Sequence, residues 1–443
     1  MIEILFAFMI FLIIIFLYKV MFFKTRRYTN PLGLILLIWG TFLILSNFSI
    51  TGLYIPSYYT QIIVILGLIS SVVGALLTNV KKESDKKEES LKEKKLFIFV
   101  FLFAGISILF LLYKAIDIFL SYNTLKEYIM FTKASEEGDI ALYGTGYLLG
   151  YINNITVAII YSSLFISTSM FMINGKKKLF IFSFILIAIY TIILSAREGF
   201  VLVILAIFMG VLMKYVNTQI KFKYIKKYLF IVLLALLFVF LVSITRGGMD
   251  IMYLINRYII TYHTLGFTML DLEIQNEYSY LNQNFTYGRA SFGFLEQFIA
   301  IYTKLIDRDL FTALFTEVRH YVQLQNIVGE DKKGYMRFNA YYTSLYPMYL
   351  DFRLYGVIFI CGLYGYFITK FYLKWKINSS IYGFTMVLFL FYVGYASILM
   401  PVMLRPFFWP SFFIILIYYK YKILINFFQS KKYRNKNKLS RLK

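Results

Sequence analysis

Residues 2–23, IEILFAFMIFLIIIFLYKVMFF, form one apolar run that ends on the basic cluster Lys24, Arg26 and Arg27. A helix of about 17 to 25 apolar residues crosses a hydrocarbon core of roughly 30 Å. A cleaved secretory leader carries its basic residues ahead of the apolar stretch, whereas here Glu3 stands there and the cluster follows. The run is therefore expected to be a retained first span. Comparable runs follow at 32–53, 60–80, 96–118, 144–173, 179–195, 199–214, 229–245, 345–369, 378–400 and 407–425, about eleven in all. The run at 144–173 is overlong and is expected to tilt or protrude.

Composition agrees with this reading. Of 443 residues, 60% are hydrophobic and only 16% charged, more apolar side chains than a soluble core of this length needs. A net charge of +23 would suggest nucleic-acid binding in a soluble protein, but the lysines sit in short clusters between apolar runs. That is a topology signal, and no nucleic-acid partner is expected. The single cysteine, Cys361, lies in an apolar run, which leaves no disulfide framework, CxxC pair or cysteine metal site.

The connections alternate in character. Lysine clusters occupy 24–31, 81–95, 174–178, 214–228, 370–376 and the tail from Lys420, and the other connections lack them. The positive-inside rule makes these segments cytoplasmic, with the N-terminus outside, the C-terminus inside and an odd number of spans. The expected fold is an all-α polytopic integral membrane protein. Its parts are a bundle of about eight spans over 1–245, a large extracytoplasmic loop over 246–344, about three spans over 345–425 and a basic cytoplasmic tail over 426–443. The mixed-sign stretch 81–95 reads as a solvated linker. In the large loop, Ile251, Leu254, Ile255, Tyr258, Ile259 and Tyr262 recur at helical spacing. So do Phe294, Leu295, Phe298, Ile299, Tyr302, Leu305 and Ile306. Both sets are expected as amphipathic helices on the membrane face or capping the bundle. There is no internal repeat and no glycine-rich phosphate loop.

Arginine and lysine are sorted to opposite faces. Arg197, Arg246, Arg257, Arg289, Arg308, Arg319, Arg337, Arg353 and Arg405 fall outside or at the outer boundary, against Arg26, Arg27, Arg434 and Arg441 inside. The positive-inside rule predicts that both residue types avoid the outside, so the outer arginines need another cause. The guanidinium fork binds phosphate or carboxylate bidentately and keeps its charge near lipid, which points to a lipid-linked phosphate or pyrophosphate. The competing reading is pairing with Glu198, Asp250, Glu296, Asp307, Asp309, Glu317 or Asp351. Four positions are the sharper pyrophosphate candidates. Arg197 sits in the short turn Ser195-Ala196-Arg197-Glu198-Gly199, and Arg246 in Thr245-Arg246-Gly247 at the next outward helix end. Arg289 follows Gly288, and Arg337 precedes Asn339. Arg405, in RPFFWP, reads as an interfacial anchor.

Three stretches together resemble the membrane polymerases and ligases of bacterial surface polysaccharide. They are Ile193-Leu194-Ser195-Ala196-Arg197-Glu198-Gly199, the Thr245-Arg246-Gly247 exit into the large loop, and Asn339-Ala340-Tyr341-Tyr342-Thr343 followed by Tyr349-Leu350-Asp351-Phe352 and Gly356. The chain looks like a Wzy-type oligosaccharide repeat-unit polymerase. The motifs cover the C-terminal half, and the topology covers the whole chain. O-antigen ligases carry a histidine just before the Asn of the third stretch, where this chain has Phe338, which favours polymerase over ligase. The resemblance implies a GT-C-like fold in the bacterial cytoplasmic membrane and a metal-independent glycosyltransferase without cofactor. Its substrates would be undecaprenyl-pyrophosphate-linked oligosaccharides at the outer membrane face. A chain-length regulator and a flippase of the same pathway are the implied partners, and Asn339 and Tyr342 implied substrate contacts.

Such a transfer needs charge stabilisation on the leaving group and a base for the acceptor hydroxyl. Arginines supply the first. For the base, Asp351, His320, Glu296 and Glu317 are candidates, with Asp351 favoured by its place at a span's outer end. His263 lies on an aromatic-rich helix and reads as structural. Asp307-Arg308-Asp309 reads as a solvated turn rather than a metal site. A lipid-linked oligosaccharide flippase is the non-enzymatic alternative. It would carry intramembrane charges in several spans, repeat symmetry and short loops, whereas here the mid-span sequences are nearly free of charge, no repeat is visible and one loop runs to about a hundred residues.

Overall fold

The structure is a computed structural model that describes residues 2–48, 50–82, 98–122, 127–128, 142, 147–194, 196–215, 222–247, 252, 255–293, 296, 299, 314–331, 334–339 and 341–420. The principal helices are α1 (Ile2–Thr25), α2 (Pro31–Leu45), α3 (Tyr58–Leu76), α4 (Ile106–Leu120), α5 (Tyr147–Asn174), α6 (Lys178–Ile193), α7 (Glu198–Lys214) and α8 (Phe222–Gly247). They continue with α9 (Tyr262–Gln275), α10 (Leu314–Tyr321), α11 (Leu345–Asn378), α12 (Ile381–Ala396) and α13 (Phe408–Lys420).

Among the described residues, six helices are long and apolar enough to cross a membrane: Ile2–Thr25, Pro31–Phe48, Tyr58–Leu76, Ile98–Leu120, Ile152–Asn174 and Leu345–Asn378. The runs expected at 179–195, 378–400 and 407–425 fall on the shorter apolar helices α6, α12 and α13. Those at 199–214 and 229–245 lie on α7 and α8. Outward-facing side chains such as Phe8, Phe11 and Phe16 on α1, Leu109 and Phe110 on α4, and Leu233 and Leu237 on α8 are exposed and apolar. Such exteriors suit lipid rather than water, as in a helical membrane protein.

Local sequence explains several starts. Asn30 caps α2, its Oδ1 accepting from the Gly33 N–H at 2.6 Å, and Pro31 occupies the first helical position, where no N–H is needed. Ser380 caps α12 in the same way, accepting from the Gly383 N–H at 3.0 Å.

Two features set the packing. Helices α3 and α11 touch through small residues: a Cβ added at Gly74 would lie 1.9 Å from the Gly362 carbonyl oxygen, and one at Gly365 would lie 1.8 Å from that of Ser71. The backbones meet because nothing larger intervenes. The second feature is an end of the bundle marked by lysines. Lys24 Nζ donates to the Leu76 and Thr78 carbonyls (3.0 and 2.6 Å), Lys376 Nζ to that of Thr25 (2.6 Å), and Lys214 Nζ to that of Met172. The C-terminal ends of α1, α3, α5, α7 and α11 therefore gather together, where cationic side chains suit the helix dipole.

The structure departs from the sequence expectation in three places. First, α11 is broken: Phe352 (φ −144°, ψ 26°) and Arg353 (φ 52°, ψ −138°) are non-helical, so 345–351 is a separate buried helix ahead of the longer one. Second, the chain is not wholly α. Strands β1 (Asn326–Asp331) and β2 (Gly334–Phe338) form an antiparallel pair with Asn326 opposite Phe338, and Leu53 bridges Gly329 on the far side of β1. Gly329 permits that approach, since a Cβ there would meet the Gly52 carbonyl oxygen at 2.2 Å. Third, the helical set around 255–262 is not a plain α-helix, although its Ile255 and Ile259 are exposed as an outward face requires. It enters a short π-helix, Asn256–Thr261, and continues into α9, whose Leu265, Phe267, Met269 and Leu270 are buried. Of the second expected loop helix, Phe294, Leu295, Phe298, Tyr302, Leu305 and Ile306 lie outside the described residues, as do Ile251 and Leu254 of the first.

Candidate functional site

At the end of the bundle opposite the lysines, a cavity of about 930 Å³ opens between α2, α7, α8, α9, α12 and the segments around 339–341 and 399–405. One flank is apolar, with Ile38 and Phe42 of α2, Val201 and Ile204 of α7, and Leu236 and Val239 of α8. The rest of the lining is polar and aromatic.

The turn between α6 and α7 brings the first charges to it. The Ala196 N–H donates to the Thr191 carbonyl at 2.9 Å, folding the chain back within a few residues. Gly199 is what lets α7 start against α6, because a Cβ there would lie 2.1 Å from Thr191 Oγ1 and 2.9 Å from Ile187 Cγ2. Arg197 and Glu198 are thereby fixed at the cavity wall. The Arg197 guanidinium lies 3.7 Å from the centre of the Tyr258 ring and 5.6 Å from that of Tyr262, a cation–π arrangement. Tyr258 lies within the π-helix and Tyr262 directly follows it, a local underwinding that frequently occurs at functional sites. Burial raises the Tyr262 pKa, but Arg197, a hydrogen bond with Tyr341 and Arg257 outweigh it and leave the phenol more acidic than usual.

Glu198 accepts a hydrogen bond from the Tyr392 hydroxyl at 2.6 Å on Oε1, and the Tyr161 ring packs edge-on against that of Tyr392. Arg405 lines the same cavity, and among the described residues its guanidinium has no hydrogen bond or ion pair. His263 stacks on Phe42 with ring centres 4.3 Å apart, its Nδ1 lies 2.7 Å from the Ile259 carbonyl oxygen, and its Nε2 lies 2.8 Å from the Tyr395 hydroxyl. Burial pushes its pKa down to about 4.

The residues singled out from sequence are dispersed. Arg197 and Asn339 line the cavity, and Asn339 Nδ2 donates to the Gln323 carbonyl at 3.1 Å. Arg246 is in the last turn of α8, whose Leu236 and Val239 reach the cavity, but its side chain lies outside the described residues. Arg289 is half-exposed and ion-paired with Glu296, away from the cavity. Arg337 is exposed on β2, and His320 is exposed on α10; neither lines the cavity. Tyr342 is fully buried, its hydroxyl donating to Glu273 Oε1 at 2.9 Å and accepting from Asn326 Nδ2 at 2.8 Å. Burial raises the Glu273 pKa, and burial beside Glu273 raises that of Tyr342.

Asp351 is wholly buried at the break in α11. Its Oδ1 accepts from Thr286 Oγ1 (2.6 Å) and the Ala290 N–H (2.9 Å), and its Oδ2 accepts from the Ser291 N–H (2.8 Å). Beside it, Arg353 donates to the carbonyls of Leu281, Asn282 and Asn284. The two side chains clamp loop 281–291 onto the break, and this geometry positions backbone rather than substrate. Glu317 is exposed on α10, while Asp307, Arg308 and Asp309 lie outside the described residues. Among the described residues no group of three His, Cys, Asp or Glu side chains could hold a metal ion.

Sequence reasoning gave Glu198, Arg405 and His263 structural or anchoring roles, and it did not single out Tyr258, Tyr262, Tyr341, Tyr392 or Tyr395 as site residues. The adjacency of Glu198 to Arg197 was the signal for the first. Tyr341 stood in the Asn339–Thr343 stretch and Tyr258 and Tyr262 in a helical repeat, while Tyr392 and Tyr395 are two among many aromatic residues, 20% of the chain. The chain matches no protein-family profile, no curated protein and no solved structure.

Proposed function

We propose that this chain is a glycosyltransferase of the bacterial cytoplasmic membrane that joins undecaprenyl-pyrophosphate-linked oligosaccharide repeat units into a surface polysaccharide. In this reading it has about eleven spans in a GT-C-like arrangement, with the N-terminus and the cavity outside and the C-terminus in the cytoplasm. The observation that carries the proposal is the cavity itself. Its volume of about 930 Å³ admits several sugar rings with a diphosphate. Its lining presents two guanidinium groups, Arg197 held on Tyr258 and Arg405 with no hydrogen bond or ion pair to its guanidinium among the described residues. Its tyrosines offer faces for sugar stacking, and its apolar flank suits a polyprenyl chain.

The reaction follows from these parts. An acceptor hydroxyl oxygen attacks the anomeric carbon of the donor glycan, and the bond from that carbon to the pyrophosphate oxygen breaks. The electron pair leaves with the polyprenyl pyrophosphate. Developing negative charge on the leaving group is met by Arg197 and Arg405, which need no reorganisation to receive it. The acceptor proton passes to a base.

Cells lacking the chain should carry surface lipid with single repeat units and no ladder of longer polymers, and the wild-type gene should restore the ladder. A charge-only role would tolerate lysine, whereas bidentate phosphate binding needs the fork. Arg197→Lys and Arg405→Lys, at matched membrane levels, should each lower polymer formation by about 10²–10³-fold, with Lys177→Arg as control. Normal ladders in cells lacking the chain would refute the reading.

A further inference from the structure

We propose that Glu198 is the catalytic base that takes the acceptor hydroxyl proton, with Tyr392 holding its carboxylate in position. The assignment rests on the glycosyl-transfer reading given above. Among the described residues lining the cavity, Glu198 is the one carboxylate. It directly follows Arg197, so the group that receives the leaving phosphate and the group that receives the proton come from one helix start, fixed by the close approach at Gly199.

The other titratable candidates are committed elsewhere. Asp351 is buried and spends both oxygens on loop 286–291. His320 stands off the cavity. His263 has both ring nitrogens engaged, one against the Ile259 carbonyl and one against Tyr395. Glu198, by contrast, takes the Tyr392 hydrogen bond on Oε1 and is only partly buried, at the wall of a cavity large enough for an acceptor sugar.

In the step, the acceptor O–H proton moves to the Glu198 carboxylate as the acceptor oxygen bonds to the anomeric carbon and the carbon–pyrophosphate bond breaks. The Tyr392 phenol keeps its proton throughout. A carboxylate suffices because the leaving group is already a good one, so the acceptor hydroxyl becomes acidic as its bond to carbon forms.

Three measurements on purified full-length protein, with the polymer ladder as the activity readout, test this. Glu198→Gln keeps a carbonyl oxygen for Tyr392 but cannot take a proton. It should lower turnover by about 10²–10⁴-fold while binding farnesyl pyrophosphate within about twofold of wild type, since the arginines are untouched. Glu198→Ala should regain part of its activity in added formate, which enters the space left behind, and this rescue is a response that a merely structural role would not give. Turnover of Glu198→Gln within about threefold of wild type would overturn the base and leave the polymerase reading standing. Loss of farnesyl pyrophosphate binding together with turnover, or no formate rescue, would also overturn it. Normal polymer in cells lacking the chain would remove both proposals at once.

Discussion

His263 carries a pH dependence whose sign the geometry fixes. The Ile259 carbonyl can only accept, so the neutral ring is protonated at Nδ1, and bare Nε2 accepts from the Tyr395 hydroxyl. Burial lowers the folded-state pKa to about 4 from an ordinary value of about 6.5. Between those values the unfolded chain binds more protons than the folded one, so the stability contributed is complete above about pH 6.5 and is lost as pH falls toward 4. Detergent-solubilised protein should therefore melt at lower temperature at pH 4.5 than at pH 7, and His263→Gln should narrow that difference. An equal difference in the variant would assign the acid sensitivity to other groups. At this scale the sequence was partly informative. Arg197 stood out because a guanidinium in so short a turn between apolar runs needs a reason. The role of Asp351 did not, because its partners Thr286, Ala290 and Ser291 lie sixty or more residues away in the chain. An acid at a helix end looks the same from sequence whether it meets substrate or clamps a loop.

Hydropathy located the helices well, because the need for an apolar surface in lipid is written residue by residue along each run. It could not register the break in α11, since Phe352 and Arg353 leave the helical region without any change in apolar character. Nor could it find the hairpin, whose β1 pairs not only with β2 but with Leu53, far upstream. Helix pairing was equally hidden, although its means are simple. Gly74 on α3 and Gly365 on α11 stand where a Cβ would fall within 2 Å of a backbone carbonyl oxygen of the other helix. A side chain there must push two backbones apart, and no flexible group is available to give way. Gly74→Leu should cost about 3 kcal/mol, the upper part of the overpacking range, read as a fall in melting temperature and in folded yield from membranes. Leu76→Ala, on the exposed face of the same helix, should be close to neutral. Equal behaviour of the two variants would mean that α3 and α11 do not pack through these glycines.

The molecule as a whole has two unlike ends, and the functional reading depends on which side of the membrane each occupies. Lys24, Lys214 and Lys376 bind the carbonyls that close α1, α3 and α5, and Trp375 Nε1 donates to the Met213 carbonyl near the end of α7 at 3.0 Å. Lys420 lies over the Tyr382 ring, 5.1 Å from its centre, so the end of α13 belongs to the same side. Phe6, near the start of α1, packs on Tyr58 at the start of α3, at the other end. That second end holds the cavity with Arg197 and Arg405. Lysine clusters stay in the cytoplasm during insertion, so the cavity should face outward, where lipid-linked oligosaccharides would be joined. Single-cysteine variants in a Cys361→Ala background test this directly. Tyr278→Cys, at a position 87% exposed beyond α9 on the cavity side, should react with an impermeant maleimide in intact cells, or in spheroplasts where an outer membrane is present. Lys177→Cys, exposed between α5 and α6 at the lysine end, should react only after the membrane is opened. The reverse pattern would put the guanidinium groups in the cytoplasm. The polymerase reading would then fall together with the assignment of Glu198, because both need the cavity on the outer face.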